Sequence, residues 1–193
     1  MNNEKRGQHM DYDSIIKQII EFSKEFYDSL DFAHNIEHGK RVVSNAKVIA
    51  QKEGGNLFLV EAGAWLHQFH NNLDKVNEFI KNLQISDYEK NKLYEIVKCR
   101  PEYIEDKSLL ESKIVYDADA IEVLTTYGMI REIICNAKCR NKEWQKSVED
   151  TIKVQKRFKE KVQTKTAKEM IEKDLEIIET FWNLYKKWED NLI

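Results

Sequence analysis

The scarcity of turn-forming residues most constrains how this chain can fold. Its 193 residues include one proline and six glycines, too few for the many turns of a β-sandwich or barrel. Long helices with short connections are the natural alternative. Apolar residues recur at helical spacing along most of the sequence, and residues 57–69 are apolar nearly all round, which is typical of a central core helix. The sequence therefore predicts an all-α helical bundle.

The length and charge of the chain limit its organisation and its partners. A chain of this size suits one domain over residues 1–193, and the sequence shows no linker or internal repeat. Its net charge is −3, and no basic stripe of the kind that binds nucleic acid is present. No apolar run approaches the roughly 20 residues that span a bilayer, and the N-terminal segment lacks the apolar core of a signal peptide. We expect a cytoplasmic protein that binds a small molecule.

Turn and capping residues predict several helix boundaries. Gly54-Gly55 should end one helix and Asn56 should cap the next. Ser86-Asp87 should divide two shorter helices within 73–100, and the only proline, Pro101, should break the chain after them. Residues 107–116 favour helix or irregular structure, because no partner strand is evident. Other helices are expected over 12–29, 36–52, 118–139 and 142–162, and from Thr164 or Thr166 onward.

Potential ligands gather in three stretches of the sequence. They are DFAHNIEHGKRV (31–42, with Asp31, His34, Glu37 and His38), WLHQFHNN (65–72) and VYDADAIEV (115–123). Each has an ordinary interpretation: a histidine pair on the surface of a helix start, a core histidine with a satisfied hydrogen bond, and aspartates that cap a helix start. Their occurrence together on helices of one small domain favours a functional site instead.

These ordered motifs resemble the HD superfamily of metal-dependent phosphohydrolases. HNIEHGKRV, AGAWLHQ and YDADAIEVLTTYGMIRE carry the resemblance over about residues 30–135. The C-terminal helices, about 141–190, are similar to those of one small bacterial branch. The resemblance implies the HD-domain helical fold and a metal that polarises a phosphoryl oxygen and activates water.

The resemblance also assigns roles residue by residue. It implies His38, His67 and Asp119 as metal ligands, with Asp117 as the neighbour of the last. His34 would line the pocket. The candidate catalytic residues are His34, His67, His70 and Asp117, and the candidate substrate-binding residues are Arg41, Trp65, Gln68 and Asn71.

Gln68 departs from the family pattern, which has an aspartate at that place. Glutamine is neutral and offers only its amide oxygen to a cation, so metal affinity should fall. His70, three residues after His67, could lie on the same side and complete the ligand set, and Asn71 could orient a ring or a water. Family members with two metals use extra histidines in the region that corresponds to residues 90–105. This chain has none there, so the sequence does not predict a two-metal site.

Three functions therefore stay open at this stage. The first is a phosphohydrolase of a nucleotide or another small phosphoester with a weakened site for Zn, Mn, Fe or Mg. The second is a metal-free enzyme that uses pocket histidines as acid or base on a non-phosphate small molecule. The third is a non-catalytic protein that binds a ligand in the old pocket.

The cysteines do not complete a recognisable metal motif. Cys99, Cys135 and Cys139 are an odd number in a chain that can fold without disulfides, so reduced thiols are expected. Cys135 and Cys139 are four apart on a predicted helix and could share a metal. No CxxC partner exists, and buried free thiols are common, so the sequence favours thiols without a metal.

Overall fold

The protein is built from helices, as predicted. In the computed structural model, which describes residues 11–99 and 108–190, no β-strand occurs among those residues. The all-α prediction is confirmed, and residues 113–116 are helical. The helices are α1 (Tyr12–Asp28), α2 (Ile36–Glu53), α3 (Leu57–Leu66), a 3-10 helix (His67–Asn71), α4 (Leu73–Asn82), α5 (Asp87–Lys98), α6 (Leu110–Leu124), α7 (Thr126–Lys138), α8 (Trp144–Lys159) and α9 (Lys165–Asp190).

The core surrounds α3, which packs against α1, α2, α5 and α6. Eight of its ten residues are buried, as its uniformly apolar sequence predicts. Leu59 and Leu66 of α3 and Leu124 of α6 are almost completely inaccessible to solvent. Each such side chain stabilises the fold by about 1.5–3 kcal/mol relative to an exposed position. The end of α3 and the middle of α6 are therefore held rigidly next to each other.

The predicted turn and capping residues act as expected in the described residues. Gly54 and Gly55 both have positive φ angles, 89° and 99°, and end α2. The Asn56 side chain accepts a hydrogen bond from the backbone N–H of Leu59 and caps α3. Ser86 caps α5 in a reciprocal capping box, which confirms the division of the 73–100 segment. Pro101 lies outside the described residues.

The chain differs from the prediction where α3 ends. The helix stops at Leu66 rather than near Phe69, and the backbone tightens into the 3-10 helix His67–Asn71. A 3-10 helix has three residues per turn, so His67 and His70 fall on the same side. The two histidines of the WLHQFHNN stretch therefore belong to the tighter segment and not to the core helix itself.

The predicted single helix 118–139 is wrong. α6 begins at Leu110, without a side-chain cap at Leu109 to signal it, so Asp117 and Asp119 lie well inside the helix and do not cap its start. α7 then begins after Thr125, whose side chain accepts from the Gly128 N–H. A Cβ at position 128 would come within 2.1 Å of the Glu122 carbonyl oxygen, so this tight junction requires glycine.

No helix in the described part of the chain combines the length and apolarity needed to span a membrane.

Candidate metal and substrate site

Three of the predicted residues converge at the centre of the molecule. His38 lies in the first turn of α2, where the Asn35 side chain caps the helix; His67 begins the 3-10 helix, and Asp119 projects from α6. His38 Nε2 lies 3.2 Å from His67 Nε2 and 3.3 Å from Asp119 Oδ1. His67 Nε2 lies 3.7 Å from the same carboxylate oxygen. We call His38, His67 and Asp119 the imidazole cluster.

The hydrogen bonds of His67 fix which ring nitrogen faces the cluster. Its Nδ1–H donates to the Ala64 carbonyl oxygen at 2.7 Å. The Tyr27 hydroxyl donates to the Trp65 carbonyl oxygen and lies 3.3 Å from the same Nδ1. Nδ1 therefore carries the proton, and the lone pair of Nε2 is directed toward Asp119.

The position of Tyr27 depends on a glycine in α2. Its ring is fully buried and lies directly over Gly39. A Cβ at Gly39 would come within 2.8 Å of Tyr27 Cζ, closer than real Cβ atoms approach a neighbour. Gly39 therefore leaves the space in which the Tyr27 hydroxyl reaches the backbone around His67.

A buried charge network supports His38 from the other side. Glu122 Oε2 lies 3.3 Å from His38 Nδ1, 2.8 Å from Arg41 Nε and 3.3 Å from Arg131 Nη1. Arg131 also donates to the carbonyl oxygens of Ala33 and Glu122, which holds its guanidinium in place. A carboxylate behind a histidine in this way orients the ring and raises its basicity toward a metal.

Burial and the hydrogen bonds of the cluster set the protonation of its three members. Burial lowers the pKa of His67 to about 4, so its ring is neutral near neutral pH. Burial also opposes charge on His38, but hydrogen bonds to Asp119 and Glu122 outweigh it and hold the pKa of His38 above its ordinary value. Burial would raise the pKa of Asp119, yet the His38 hydrogen bond and the nearby positive charges keep that pKa well below its usual range.

Gln68 reaches the same point as the three cluster atoms. Its amide Nε2 lies 2.9 Å from His67 Nε2 and 3.2 Å from His38 Nε2. One amide group is thus within hydrogen-bonding distance of both imidazole Nε2 atoms. The residue that departs from the family pattern is therefore directed into the cluster and not away from it.

A cavity of about 640 Å³ extends from the imidazole cluster, a volume typical of small-molecule sites. Four more predicted residues line it: His34, Gln68, His70 and Asn71. The Nδ1 atom of His34 lies 2.8 Å from Asp31 Oδ1, and this pair sits at the cavity wall. The His70 Nδ1 atom lies 2.9 Å from the His67 carbonyl oxygen, which turns its ring beside the cluster.

The structure does not bring the remaining predicted residues into this cavity. Both carboxylate oxygens of Asp117 accept hydrogen bonds from the backbone of Gln163 and Thr164, so Asp117 anchors the start of α9 and does not line the cavity. Trp65 is packed in the core. Arg41 binds Glu122 and lies over the Tyr127 ring. The expectation that Asp117 acts in catalysis, and that Trp65 and Arg41 contact substrate, finds no support in this geometry.

Sequence reasoning missed Glu122, Arg131 and Tyr27. The sequence could have indicated Glu122, because it follows Asp119 by three residues and must lie on the same helix face. It could not have indicated Arg131 and Tyr27, since each reaches the site from a helix that packs there only in the folded protein.

Comparison with solved structures identifies the fold. No protein-family model and no curated protein matches the chain. YpgQ of Bacillus subtilis, in a complex with ADP, is 20% identical, with a TM-score of 0.76 over 92% of this chain and 96% of that one. The Lin1889 protein of Listeria innocua is 22% identical (TM-score 0.75, 94% and 98% covered), and an HD-superfamily hydrolase of Bacillus thuringiensis is 22% identical (TM-score 0.72, 92% and 98% covered). The chain therefore has the helical fold of HD-superfamily hydrolases, as the sequence motifs predicted.

Proposed function

We propose that this protein is a metal-dependent hydrolase of a small phosphoester or nucleotide. One observation carries the proposal: two imidazole Nε2 atoms and a carboxylate oxygen converge within 4.8 Å of one another in a mostly buried position. Without a cation, a proton on His38 Nε2 must bridge to Asp119, and a divalent cation can take the place of that proton. The motifs that resemble the HD superfamily and the chemistry of the donors therefore point to the same place.

The donors fit a divalent transition metal. Zinc binds imidazole nitrogen and carboxylate oxygen at about 2.0–2.2 Å, so neighbouring ligands of a tetrahedral site lie about 3.4 Å apart. The observed separations of 3.2, 3.3 and 3.7 Å match that spacing. His38, His67 and Asp119 would hold the cation, and each histidine is oriented by a second group behind it. A cation there supplies Lewis-acid polarisation of a phosphoryl oxygen.

Gln68 weakens this site without abolishing it. It replaces a charged ligand by a neutral amide, so the total negative charge around the cation falls by one unit. Rotation of the amide about its terminal bond exchanges Nε2 for Oε1, and an amide oxygen is an acceptable ligand for a hard or borderline cation. The proposed site therefore binds metal more weakly than one with aspartate at position 68.

The cavity suits an anionic substrate. Three basic residues, Arg140, Lys142 and Arg157, line its far side, and Glu132 and Asp150 balance part of their charge. A volume of about 640 Å³ accommodates a nucleotide-sized molecule. The ADP bound to the Bacillus subtilis protein of the same fold supports this class of substrate.

The chain itself supplies a group that can transfer a proton. Asp31 occupies Nδ1 of His34, which leaves Nε2 of that ring for the cavity. A histidine held by a carboxylate in this way is suited to donate a proton to a departing oxygen. In the proposed reaction His34 assists the leaving group, while His70 and Asn71 contact the substrate.

A second candidate is a metal-free reaction in the same cavity. The Gln68 amide lies within hydrogen-bonding distance of both imidazole Nε2 atoms, so the cluster can be satisfied without a cation. His34 or His70 would then act as acid or base on an organic substrate.

Asp117 and Asp119, which are separated by a single residue, provide the test of the proposal. Protein purified without chelator or metal resin should contain stoichiometric transition metal and release phosphate from a panel of nucleoside diphosphates, nucleoside triphosphates and simple phosphomonoesters. Asp119→Asn should lose the metal and slow hydrolysis by roughly a hundredfold or more, beyond the losses typical of residues that only orient ligands. Asp117→Asn, the matched control, should lower stability but keep the metal.

Absence of both metal and phosphoester hydrolysis would favour the metal-free reaction. Wild-type protein that takes up no Mn²⁺, which thiolates bind poorly, and that hydrolyses none of these esters would refute the proposed function.

A further inference from the structure

Two thiols lie side by side at the end of α7. Cys135 is buried in the last turn of the helix and Cys139 follows as its exposed C-terminal cap. The backbone N–H of Cys139 donates to the Cys135 carbonyl oxygen at 2.8 Å, so the helical spacing is kept and both side chains project from one face.

A carboxylate from a distant part of the chain completes this group. Asp31 lies in the connection between α1 and α2, and its Oδ1 accepts from the backbone N–H of Ala33 and of His34 and lies 2.8 Å from His34 Nδ1. These three contacts occupy Oδ1 and fix the carboxylate. Oδ2 is directed to the thiols and lies 3.8 Å from Cys135 Sγ.

We propose that Asp31, Cys135 and Cys139, here called the thiol cluster, form a second metal site that takes a thiophilic divalent cation of the zinc class. One donor atom from each residue lies within 4.8 Å of the other two. Thiolates select soft and borderline cations, and two sulfurs with one carboxylate form three of the four ligands of a tetrahedral site. The exposed Cys139 provides the path by which the cation and a water ligand reach it.

The surrounding charges are compatible with a cation. Arg140 is the nearest positive group, but its Nη1 is bound to Glu132 Oε1 at 2.5 Å and to Asn136 Oδ1 at 2.7 Å, so its charge is balanced. Burial and the neighbouring Asp31 raise the pKa of the Cys135 thiol to about 12, against the opposite effect of Arg140. Binding of a cation must therefore displace the proton of the Cys135 thiol.

The thiol cluster shares no donor with the imidazole cluster, although Asp31 also holds the Nδ1 atom of His34. It contains sulfur, and the imidazole cluster contains none among its three donors. A cation in the thiol cluster would tie the end of α7 to the segment that carries His34, and so hold that part of the cavity wall in place.

Sulfur ligation gives a readout that the imidazole cluster cannot produce. We would titrate the full-length, reduced protein with Cd²⁺ and with Co²⁺ and follow the thiolate-to-metal charge-transfer absorption. The wild type should show the band, and its intensity should saturate as the thiol cluster fills. Cys139→Ser should lose the band, whereas Cys99→Ser, the matched control at a cysteine outside the cluster, should keep it. His67→Ala should also keep it.

A second variant keeps the test decisive if a cysteine change disturbs folding. Asp31→Asn leaves both sulfurs in place and should weaken Cd²⁺ binding by roughly tenfold or more, because the cation loses a charged ligand. Absence of the band in the wild type would overturn the proposal. So would a band that persists in Cys139→Ser, that vanishes in Cys99→Ser, or that keeps full affinity in Asp31→Asn.

Discussion

The two clusters have the same number of donors but are built in different ways. The imidazole cluster draws its ligands from α2, the 3-10 helix and α6, at the centre of the core. The thiol cluster joins a connecting segment to the end of one helix, and one of its cysteines is exposed. Every histidine of the first cluster has a second partner that orients it, whereas in the second only Asp31 is so fixed. The difference teaches that the chemistry of the donors and the residues that hold them in place, rather than the number of donors, decide which cation each cluster would bind.

The largest expected effect is a change in metal affinity at the imidazole cluster alone, produced by adding one negative charge. Gln68→Asp should tighten metal binding at the imidazole cluster by roughly ten- to a hundredfold, because a unit negative charge about 4 Å from a cation is worth several kcal/mol at a protein's effective dielectric. Isothermal titration with Mn²⁺, which thiolates bind poorly, would measure it. An unchanged affinity would show that the cation does not contact position 68. The Cd²⁺ charge-transfer band of the thiol cluster should not change.

A similar change in metal affinity, in the opposite direction, is expected when the support behind His38 is removed. Glu122→Gln removes the charge that pairs with Arg41 and Arg131, so Mn²⁺ affinity should fall about 10- to 100-fold. Loss of the buried ion pair should also lower the free energy of unfolding by roughly 3 kcal/mol in urea denaturation.

Glu61→Gln is the control for that stability change. Glu61 pairs with Lys47, which is 45% exposed, so its loss should cost less than about 1 kcal/mol. Equal costs for the two variants would contradict the importance assigned to the Glu122 network.

The smallest expected effect lies away from both clusters, at the start of α5. Burial would raise the pKa of Glu89, but hydrogen bonds from Ser86 and Tyr12 outweigh it and hold the pKa below its ordinary value. A carboxylate with a lowered folded pKa stabilises the protein above its unfolded pKa, and that contribution is lost as pH falls through the folded value. Wild-type stability should therefore decline more steeply below about pH 4.3 than that of Glu89→Gln.

The two stability curves, measured by urea denaturation at several pH values, should differ by about 1 kcal/mol or less near neutral pH. Metal binding at neutral pH should be the same in both proteins. A change in Mn²⁺ or Cd²⁺ affinity in Glu89→Gln would show that metal binding depends on the stability of the whole fold and not only on the local partners of each cluster.

The sequence predicted the parts that local chemistry determines. Gly54 and Asn56 mark a helix boundary by their own backbone and side-chain preferences, and the structure has the boundary there. The convergence of His38, His67 and Asp119 followed from a resemblance in ordered motifs, and the structure does bring those three together. Whether they bind metal stays a prediction.

The parts that failed depend on packing between distant segments. Asp117 and Asp119 looked alike in sequence, yet α6 begins before both, and helical rotation turns one to the loop before α9 and the other to the cavity. Asp31 was noted as a possible ligand, but nothing local indicated that it meets Cys135. Such contacts are set by tertiary structure, so residue spacing alone could not reveal them.

The fit between Tyr27 and Gly39 has a consequence for recognising relatives of this chain. Because the aromatic ring fills the space of the missing side chain, the two positions should vary together among homologues. A homologue with alanine or a larger residue at position 39 should carry a smaller residue at position 27. The histidine at position 67 would then need another group in place of the Tyr27 hydroxyl. This size-coupled pair thus offers a sequence signature for a subgroup, which ligand motifs alone would not separate.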